Sequence, residues 1–263
     1  MKIEKLFLKF IQDTKPVFPH GRDMCVFLTG GMAIKIITKK YRKSIGKKLP
    51  SKDFDFTWAF SKKPTLKNMM DMFRFTKKLG VDFSKQLGPS AKVVFKKTRF
   101  STPKLQNERL QKYIYAHCNV TIKLGAEEFD LMDAVLAHFP GVSDGILNKT
   151  MSNAYSVPLP KLRFLYTDTL SVVKKTLIGT GYNAWRNPIK STHPNHPENY
   201  KQKGLKNLNR LLLIQNILKL NDNRARNIIA VDRIVRSDLP IRQKLAVARS
   251  IGKLMNKNIS KYM

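Results

Sequence analysis

Acidic residues are scarce in this chain: 18 Asp and Glu stand against 50 Lys and Arg in 263 residues, a formal net charge of +32. So large an excess of one sign is self-repelling, and it suits a polyanionic partner. Nucleic acid is the first such partner to consider, because each Lys or Arg that meets a phosphate releases a counterion. An acidic protein is the other partner that this charge would suit.

Cysteines and long apolar runs are also few. Two cysteines, Cys25 and Cys118, exclude a disulfide scaffold and make no metal-binding cluster, which predicts a reducing, intracellular compartment. No apolar run approaches the roughly 18 residues of a membrane span, and the apolar stretch at residues 6–11 is too short and too interrupted for a signal peptide. We therefore expect no membrane partner. Because 42% of the residues are hydrophobic, a disordered basic tail is excluded as well.

The order of the elements predicts two parts. Residues before about 135 alternate strand patterns with helical ones, and residues after 157 read mainly as helices. We expect an α/β (α+β) domain with a mixed sheet at residues 1–156. A basic, all-helical domain follows at 157–263, with a loop at about 178–204. Residues 151–263 hold half of the net charge, with 21 Lys and Arg against 5 Asp and Glu.

Two local predictions concern helix ends and strand faces. Thr65 is expected to cap a helix that stops at Gly80. The motif Asp53-Phe54-Asp55-Phe56 alternates polar and apolar residues as a half-buried strand does, which points both carboxylates to one sheet face and both phenylalanines to the core.

The chemistry follows from these two carboxylates and a pair of glycines. Gly30 and Gly31 stand where a short apolar strand turns into a helix, a place that lets a phosphate approach the backbone. Two neighbouring carboxylates repel each other, and a hard divalent cation relieves the repulsion. A third carboxylate would complete a two-metal site for phosphoryl displacement. Asp130 is the candidate for it, with Glu128 and Asp133 as alternatives beside it.

These motifs resemble the nucleotidyltransferase superfamily that includes DNA polymerase beta and the poly(A) polymerases. The signature is an apolar strand ending in Gly-Gly, a helix, acid-apolar-acid on the next strand and an acid on a later strand. Here it reads Phe27-Leu28-Thr29-Gly30-Gly31, then Asp53-Phe54-Asp55-Phe56, then Phe129-Asp130-Leu131. The first two motifs look most like the poly(A)-polymerase-type proteins of large DNA viruses. The likeness covers roughly residues 23–180.

The resemblance implies an activity and a set of roles. Asp53, Asp55 and Asp130 would bind Mg²⁺ or Mn²⁺ and carry catalysis, while Gly30 and Gly31 would receive the triphosphate of an NTP. The reaction would transfer a nucleoside monophosphate to a nucleic-acid 3′ end, with RNA favoured over DNA as acceptor. A viral origin would place the protein in the host cytoplasm or in the virion.

A different class of function stays open beside this one. The charge also suits a nucleic-acid-binding structural or virion protein that keeps the same fold with little or no catalysis. In either case, the predicted nucleic-acid contacts are a basic loop and the arginines of the last helices: Lys47, Lys48, Arg224, Arg226, Arg233, Arg236, Arg242 and Arg249.

Overall fold

A computed structural model describes residues 3–39, 53–107, 110–173 and 197–220. It is an α+β structure built on one open, mixed, six-stranded sheet. The mixed sheet agrees with the sequence analysis. By contact density the chain divides into two units, Met1–Leu165 and Tyr166–Met263, whereas the sequence pattern drew its boundary between residues 156 and 157.

Six helices and six strands make up the described residues. The helices are α1 (Ile3–Thr14), α2 (Gly30–Ile37), α3 (Leu66–Leu87), α4 (Lys149–Tyr155), α5 (Leu162–Val173) and α6 (Pro197–Ile217), with a short 3-10 turn at Asp144–Ile146. The strands are β1 (His20–Gly21), β2 (Met24–Thr29), β3 (Phe54–Phe60), β4 (Ala91–Asn107), β5 (Lys112–Leu124) and β6 (Glu127–His138). Within these residues, no helix combines the length and apolarity needed to cross a membrane.

The strand order is β1-β2-β3-β6-β5-β4, so β6 inserts between β3 and β5. Strands β3 and β6 run parallel, and every other neighbouring pair is antiparallel. Parallel strands need a long connection between them, and α3 with the β4–β5 hairpin supplies it between β3 and β6. This topology brings the beginning of β3 beside the centre of β6.

One face of the sheet, the helix face, packs on α1 and α3. Phe54 is fully buried there, with its ring centroid 4.8 Å from that of Phe7, and Phe7 in turn lies 5.0 Å from Phe83 of α3. As expected, Thr65 caps α3: its hydroxyl accepts from the Asn68 backbone N–H, and the Asn68 side chain accepts from the Thr65 backbone N–H. The aromatic contacts hold the helix against the sheet, and the cap bonds stabilise its first turn.

Helix α3 runs past Gly80 to Leu87, so the predicted stop at Gly80 is wrong. Gly80 is buried against β5, and a Cβ there would lie 2.6 Å from Cγ1 of Val120. The glycine therefore lets the helix approach the sheet closely. The helix ends instead at Gly88, whose φ of 101° is in the left-handed region.

The opposite face of the sheet, the carboxylate face, is apolar at one end and polar at the other. Its apolar end buries Cys25, Phe27 and Ala59 under Phe139 and Val142, with Phe164 packed on the cluster. Its polar end carries the acidic residues of β3 and β6.

In the second unit, the buried Arg210 of α6 donates to Oδ1 of Asn207 at 3.0 Å, next to the apolar Leu211 and Ile214.

Candidate metal centre

Three carboxylates meet on the carboxylate face. Asp53, Asp55 and Asp133 each offer one oxygen, and these oxygens all lie within 4.8 Å of one another. All three residues are partly buried. Oxygen ligands at this spacing are what a hard divalent cation uses, so the group could hold a metal ion.

The strand pairing explains why the three meet. Asp53 and Asp55 are two residues apart on the entry to β3, so they share a face while Phe54 points into the core. In the parallel ladder, Asp55 is the direct partner of Asp133. Paired residues on neighbouring strands extend side chains from the same face.

Asp133 thus takes the place that the sequence analysis gave to Asp130. Asp130 is exposed, and its Oδ1 lies 3.1 Å from the hydroxyl of Thr121 rather than in the three-carboxylate group. The ladder between β3 and β6 begins with Phe54 and Met132, so Asp130 lies before the paired residues of β6. The ladder between β5 and β6 pairs Thr121 with Asp130 but Val120 with Met132, and this bulge at Leu131 lets Asp130 and Asp133 share a face although they are three residues apart. A bulge cannot be read from apolar-polar alternation, which assumes an unbroken period of two.

Neighbours on β5 hold the Asp133 carboxylate in place. The Asn119 amide donates to Oδ1 of Asp133 at 2.9 Å, and Nε2 of His117 lies 3.2 Å from the same oxygen. Because a carboxylate only accepts, Nε2–H of His117 is the donor in that contact. Sequence reasoning missed both residues, since only the register of β5 and β6 brings them to Asp133.

The polar contacts continue beyond Asn119. The Thr121 hydroxyl is within hydrogen-bond distance of Oδ1 of Asn119 (2.9 Å) and Oδ1 of Asp130 (3.1 Å), and it donates its single proton to one of the two. When that proton goes to Asn119, the Asn119 amide is bonded at both its oxygen and its nitrogen. Asp130 and Asp133 lie on one face, at the two ends of this row of polar side chains.

Gly30, directly after β2, lies against Asp55 at one side of the three-carboxylate group. Its φ is +63°, and a Cβ at this position would collide with Oδ2 and Cγ of Asp55. Thr29 precedes it as the N-cap of α2, but its side chain makes no cap bond; its hydroxyl donates instead to the backbone oxygen of Asp55 at 3.1 Å. Gly31 is the second, buried residue of the helix. The two predicted glycines thus begin α2 directly beside Asp55.

Two titration effects lie near the centre. The pKa of the Cys118 thiol is raised to about 12, mainly by burial; a hydrogen bond from Thr76 opposes the change, and the charge of Asp133 contributes to it. On the exposed rim, a hydrogen bond from Lys123 lowers the pKa of Glu128, and the charges of Lys123 and Lys96 lower it too. Glu128 therefore keeps its negative charge to lower pH than an isolated glutamate would.

The remaining predicted contacts fall elsewhere. Lys47, Lys48, Arg224, Arg226, Arg233, Arg236, Arg242 and Arg249 lie outside the described residues. Their role in nucleic-acid binding stays a prediction.

Comparison of the chain with known proteins gives no relative. No protein-family model matches it, and neither a curated protein nor a solved structure does. The geometry described above and the charge of the chain are therefore the features that bear on its function.

Proposed function

We propose that this protein is a metal-dependent nucleotidyltransferase that adds nucleoside monophosphates from NTPs to the 3′ end of a nucleic acid, with RNA as the preferred acceptor. The observation that carries the proposal is the meeting of Asp53, Asp55 and Asp133 on one sheet face, beside the start of α2 at Gly30. Each part alone is common, but a phosphoryl-transfer site needs both a cation site and a place for phosphates.

The donor set fits Mg²⁺ or Mn²⁺. Three carboxylate oxygens within 4.8 Å of one another supply the hard ligands that these ions take. A bound divalent ion would stabilise the negative charge that develops on the attacking and leaving oxygens of a phosphoryl displacement. Asn119 and His117 would hold Asp133 in the orientation needed to bind it.

The start of α2 would receive the triphosphate. The first N–H groups of a helix have no partner within the helix, and the helix dipole favours negative charge there. Thr29 does not cap them, since its hydroxyl is bonded to the Asp55 backbone. Because Gly30 has no side chain, the Asp55 carboxylate lies against the start of α2, so phosphates received there would stand beside the cation site.

The proposed reaction balances without an additional reactant. The acceptor 3′-oxygen forms a bond to the α-phosphorus of the NTP, the bond from that phosphorus to the oxygen bridging to the β-phosphate breaks, and pyrophosphate leaves. The hydroxyl proton passes to solvent. What this chain supplies is the alignment of the triphosphate, the acceptor and the carboxylates.

A transfer assay tests the proposal. The full chain is incubated with each labelled NTP, with Mg²⁺ or Mn²⁺, and with short single-stranded RNA and DNA primers. We expect primer extension by the wild type, and extension at background level for Asp55→Asn and Asp133→Asn. Each variant replaces a charged carboxylate ligand of the centre with a neutral amide. Asp130→Asn is the matched control, since it removes one negative charge from the same strand and face but not from the three-carboxylate group, and it should retain activity.

The other class of function has its own signature in this assay. A wild-type protein that binds the primers tightly but extends none, with any NTP and either metal, would overturn the proposal. It would favour the structural nucleic-acid-binding protein that the net charge of +32 also suits. Equal loss of activity and of folding in Asp55→Asn would point to a structural role for that carboxylate.

A further inference from the structure

A row of paired residues crosses the sheet from the carboxylates to its edge. Asp55 pairs with Asp133, Asp133 with Asn119, and Asn119 with Lys96. Residues paired in this way place their side chains on the same face. Lys96 therefore lies on the carboxylate face, two strands from Asp133, or about 10 Å at the usual spacing of about 4.8 Å between strands.

Lys96 belongs to an edge strand of one charge. Strand β4 is the last in the sheet order, and its 17 residues include five Lys and Arg and no Asp or Glu. All five are exposed: Lys92, Lys96, Lys97, Arg99 and Lys104. This strand edge presents a positive rim to solvent, with no acidic residue among its cations.

The register divides these charges between the two faces of the sheet. Lys92 and Lys96 pair with Lys123 and Asn119, on the carboxylate face, whereas Lys97 and Arg99 pair with Cys118 and Ala116, which are buried on the helix face. Lys92 and Lys96 border the surface that leads to Asp133, whereas Lys104 pairs with Ile114, farther along the strand.

The surface between the rim and the carboxylates is polar apart from Val94, which shares this face through its pairing with Thr121. Thr98 on β4 and His117, Asn119 and Thr121 on β5 share this face and are at least partly exposed, apart from the largely buried Thr121. Lys123 of β5, which also lies on this face, is ion-paired with Glu128. The surface therefore changes from positive on β4, through neutral hydrogen-bonding groups on β5, to negative on β6, where Glu128 and Asp130 share the face of Asp133.

This order of charges suits one kind of ligand. A polyanionic chain is attracted at the rim, and its sugar hydroxyls and bases find hydrogen-bonding partners on the way to the centre. An acidic protein would also be attracted at the rim, but it carries no 3′-hydroxyl that the proposed reaction could use at the carboxylates. The sequence analysis assigned no nucleic-acid contact to this part of the chain.

We propose that the β4–β5 surface, defined as Lys92, Lys96, Thr98, His117, Asn119 and Thr121, binds the single-stranded 3′ segment of the nucleic-acid acceptor and leads its terminal hydroxyl to Asp133. This inference rests on the proposed function, for which it names the acceptor site. The phosphates of the segment lie at Lys92 and Lys96, and its 3′ end lies over Asn119.

Two double variants on one strand test the site by binding alone. Lys92→Gln with Lys96→Gln removes the charges of the carboxylate face, and Lys97→Gln with Arg99→Gln removes two charges of the same strand from the helix face. Binding of a labelled single-stranded RNA of about 12 nucleotides is measured by fluorescence anisotropy from 50 to 300 mM salt, after circular dichroism has shown that both variants are folded. The first pair should weaken binding and make the slope of log K against log[salt] shallower by about 1.4, since each lost phosphate contact on a single strand is worth about 0.7. The second pair should leave the affinity and the slope close to those of the wild type.

Equal losses in the two variants would overturn the proposal, because they would show a response to net charge rather than to one face. No loss in either variant would also overturn it, and would move the contact to residues 41–52 or to the C-terminal arginines. This experiment measures binding and not nucleotide transfer, so the two proposals can fail separately. A protein that shows no activity in the transfer assay but gives the expected difference in RNA binding between the two variants would contradict the proposed function and support this binding surface.

A photocrosslink places the 3′ end. An RNA with a 4-thiouridine at its 3′ terminus should link to peptides containing residues 117–121 or 133, and a label four nucleotides upstream should link nearer to residues 92–98. Links from the 3′ label only to residues 197–220, or to the helix-face residues of β4, would overturn the path proposed here.

Discussion

Gly30 stands so close to Asp55 that the backbone of one residue fixes the space open to the carboxylate of the other. A Cβ on Gly30 would meet Oδ2 and Cγ of Asp55, and the φ of +63° at this position is itself unfavourable for any residue with a side chain. The glycine therefore serves both the turn into α2 and the position of a ligand. The two roles can be separated by experiment.

Gly30→Ala should weaken binding of Mn²⁺ and lower the stability of the fold, because the new methyl group displaces the Asp55 carboxylate. Gly125→Ala is the control: its φ of +61° imposes similar backbone strain, but nothing lies within 4 Å of its Cβ. We expect both variants to lose about 1 kcal/mol of unfolding free energy from strain. Only Gly30→Ala should change the Mn²⁺ affinity measured by isothermal titration calorimetry. Equal metal affinity in the two variants would contradict the contact with Asp55.

Asn119→Ala should lower the affinity for Mn²⁺ by about 10- to 100-fold, the usual cost of losing a side chain that orients a metal ligand. The physical reason is the bond from the Asn119 amide to Oδ1 of Asp133. Asn119→Gln, which keeps the donor on a longer side chain, should recover part of the affinity.

A control for general destabilisation is available in the cap of α3. Asn68→Ala removes the capping contacts with Thr65 and should cost about 1 kcal/mol of stability without touching the centre. If Asn68→Ala reduced the metal affinity as much as Asn119→Ala did, the effect of Asn119 would be one of stability and not of orientation.

Cys118 should make the protein less stable in alkali. The unfolded thiol loses its proton near its ordinary pKa of 9.0, whereas the folded thiol keeps it to a pKa of about 12. Between these values the unfolded state binds fewer protons, so stability falls as pH rises, by up to about 1.4 kcal/mol per pH unit. The difference in unfolding free energy between the wild type and Cys118→Ala, measured in urea at pH 8, 9, 10 and 11, isolates this group from Lys and Tyr. A difference that does not vary with pH would show that the thiol titrates normally.

Gly80→Ala should destabilise the protein although alanine is the better helix former. The gain of about 1 kcal/mol in helix propensity is opposed by the contact of the new methyl group with Cγ1 of Val120, and overpacking in a core costs about 1–3 kcal/mol. In a double-mutant cycle with Val120→Ala, the two changes should compensate, with a coupling energy of more than about 0.5 kcal/mol. Additive effects would contradict the close approach of α3 to β5.

The sequence was most informative where a pattern is local. The N-cap at Thr65, the strand that carries Asp53 and Asp55, and the shared face of those two carboxylates all follow from neighbours in the chain. Each depends on a period or a cap that a few residues define. The mixed sheet could be expected for the same reason, since strand and helix patterns interleave.

The sequence was least informative where a contact crosses between strands. The identity of the third carboxylate depends on the parallel register of β3 and β6, which pairs Asp55 with Asp133 and leaves Asp130 before the paired residues, although the bulge at Leu131 puts both carboxylates on one face. Gly80 looked like a helix end because the side chain that requires a glycine there, Val120, belongs to strand β5 and not to the helix. The contacts of His117 and Asn119 with Asp133 have no local signature at all.

The parallel pairing of β3 with β6 also has a consequence for how the chain folds. Asp55 and Asp133 are 78 positions apart, so their strands meet only after a long loop has closed, an entropic cost that slows folding. The same closure brings like charges together, which opposes it. A divalent ion that binds only the closed sheet would remove that repulsion and would shift the equilibrium towards the native state in proportion to its concentration. Metal dependence of the refolded fraction would then report the completion of the sheet centre, independently of any chemistry done there.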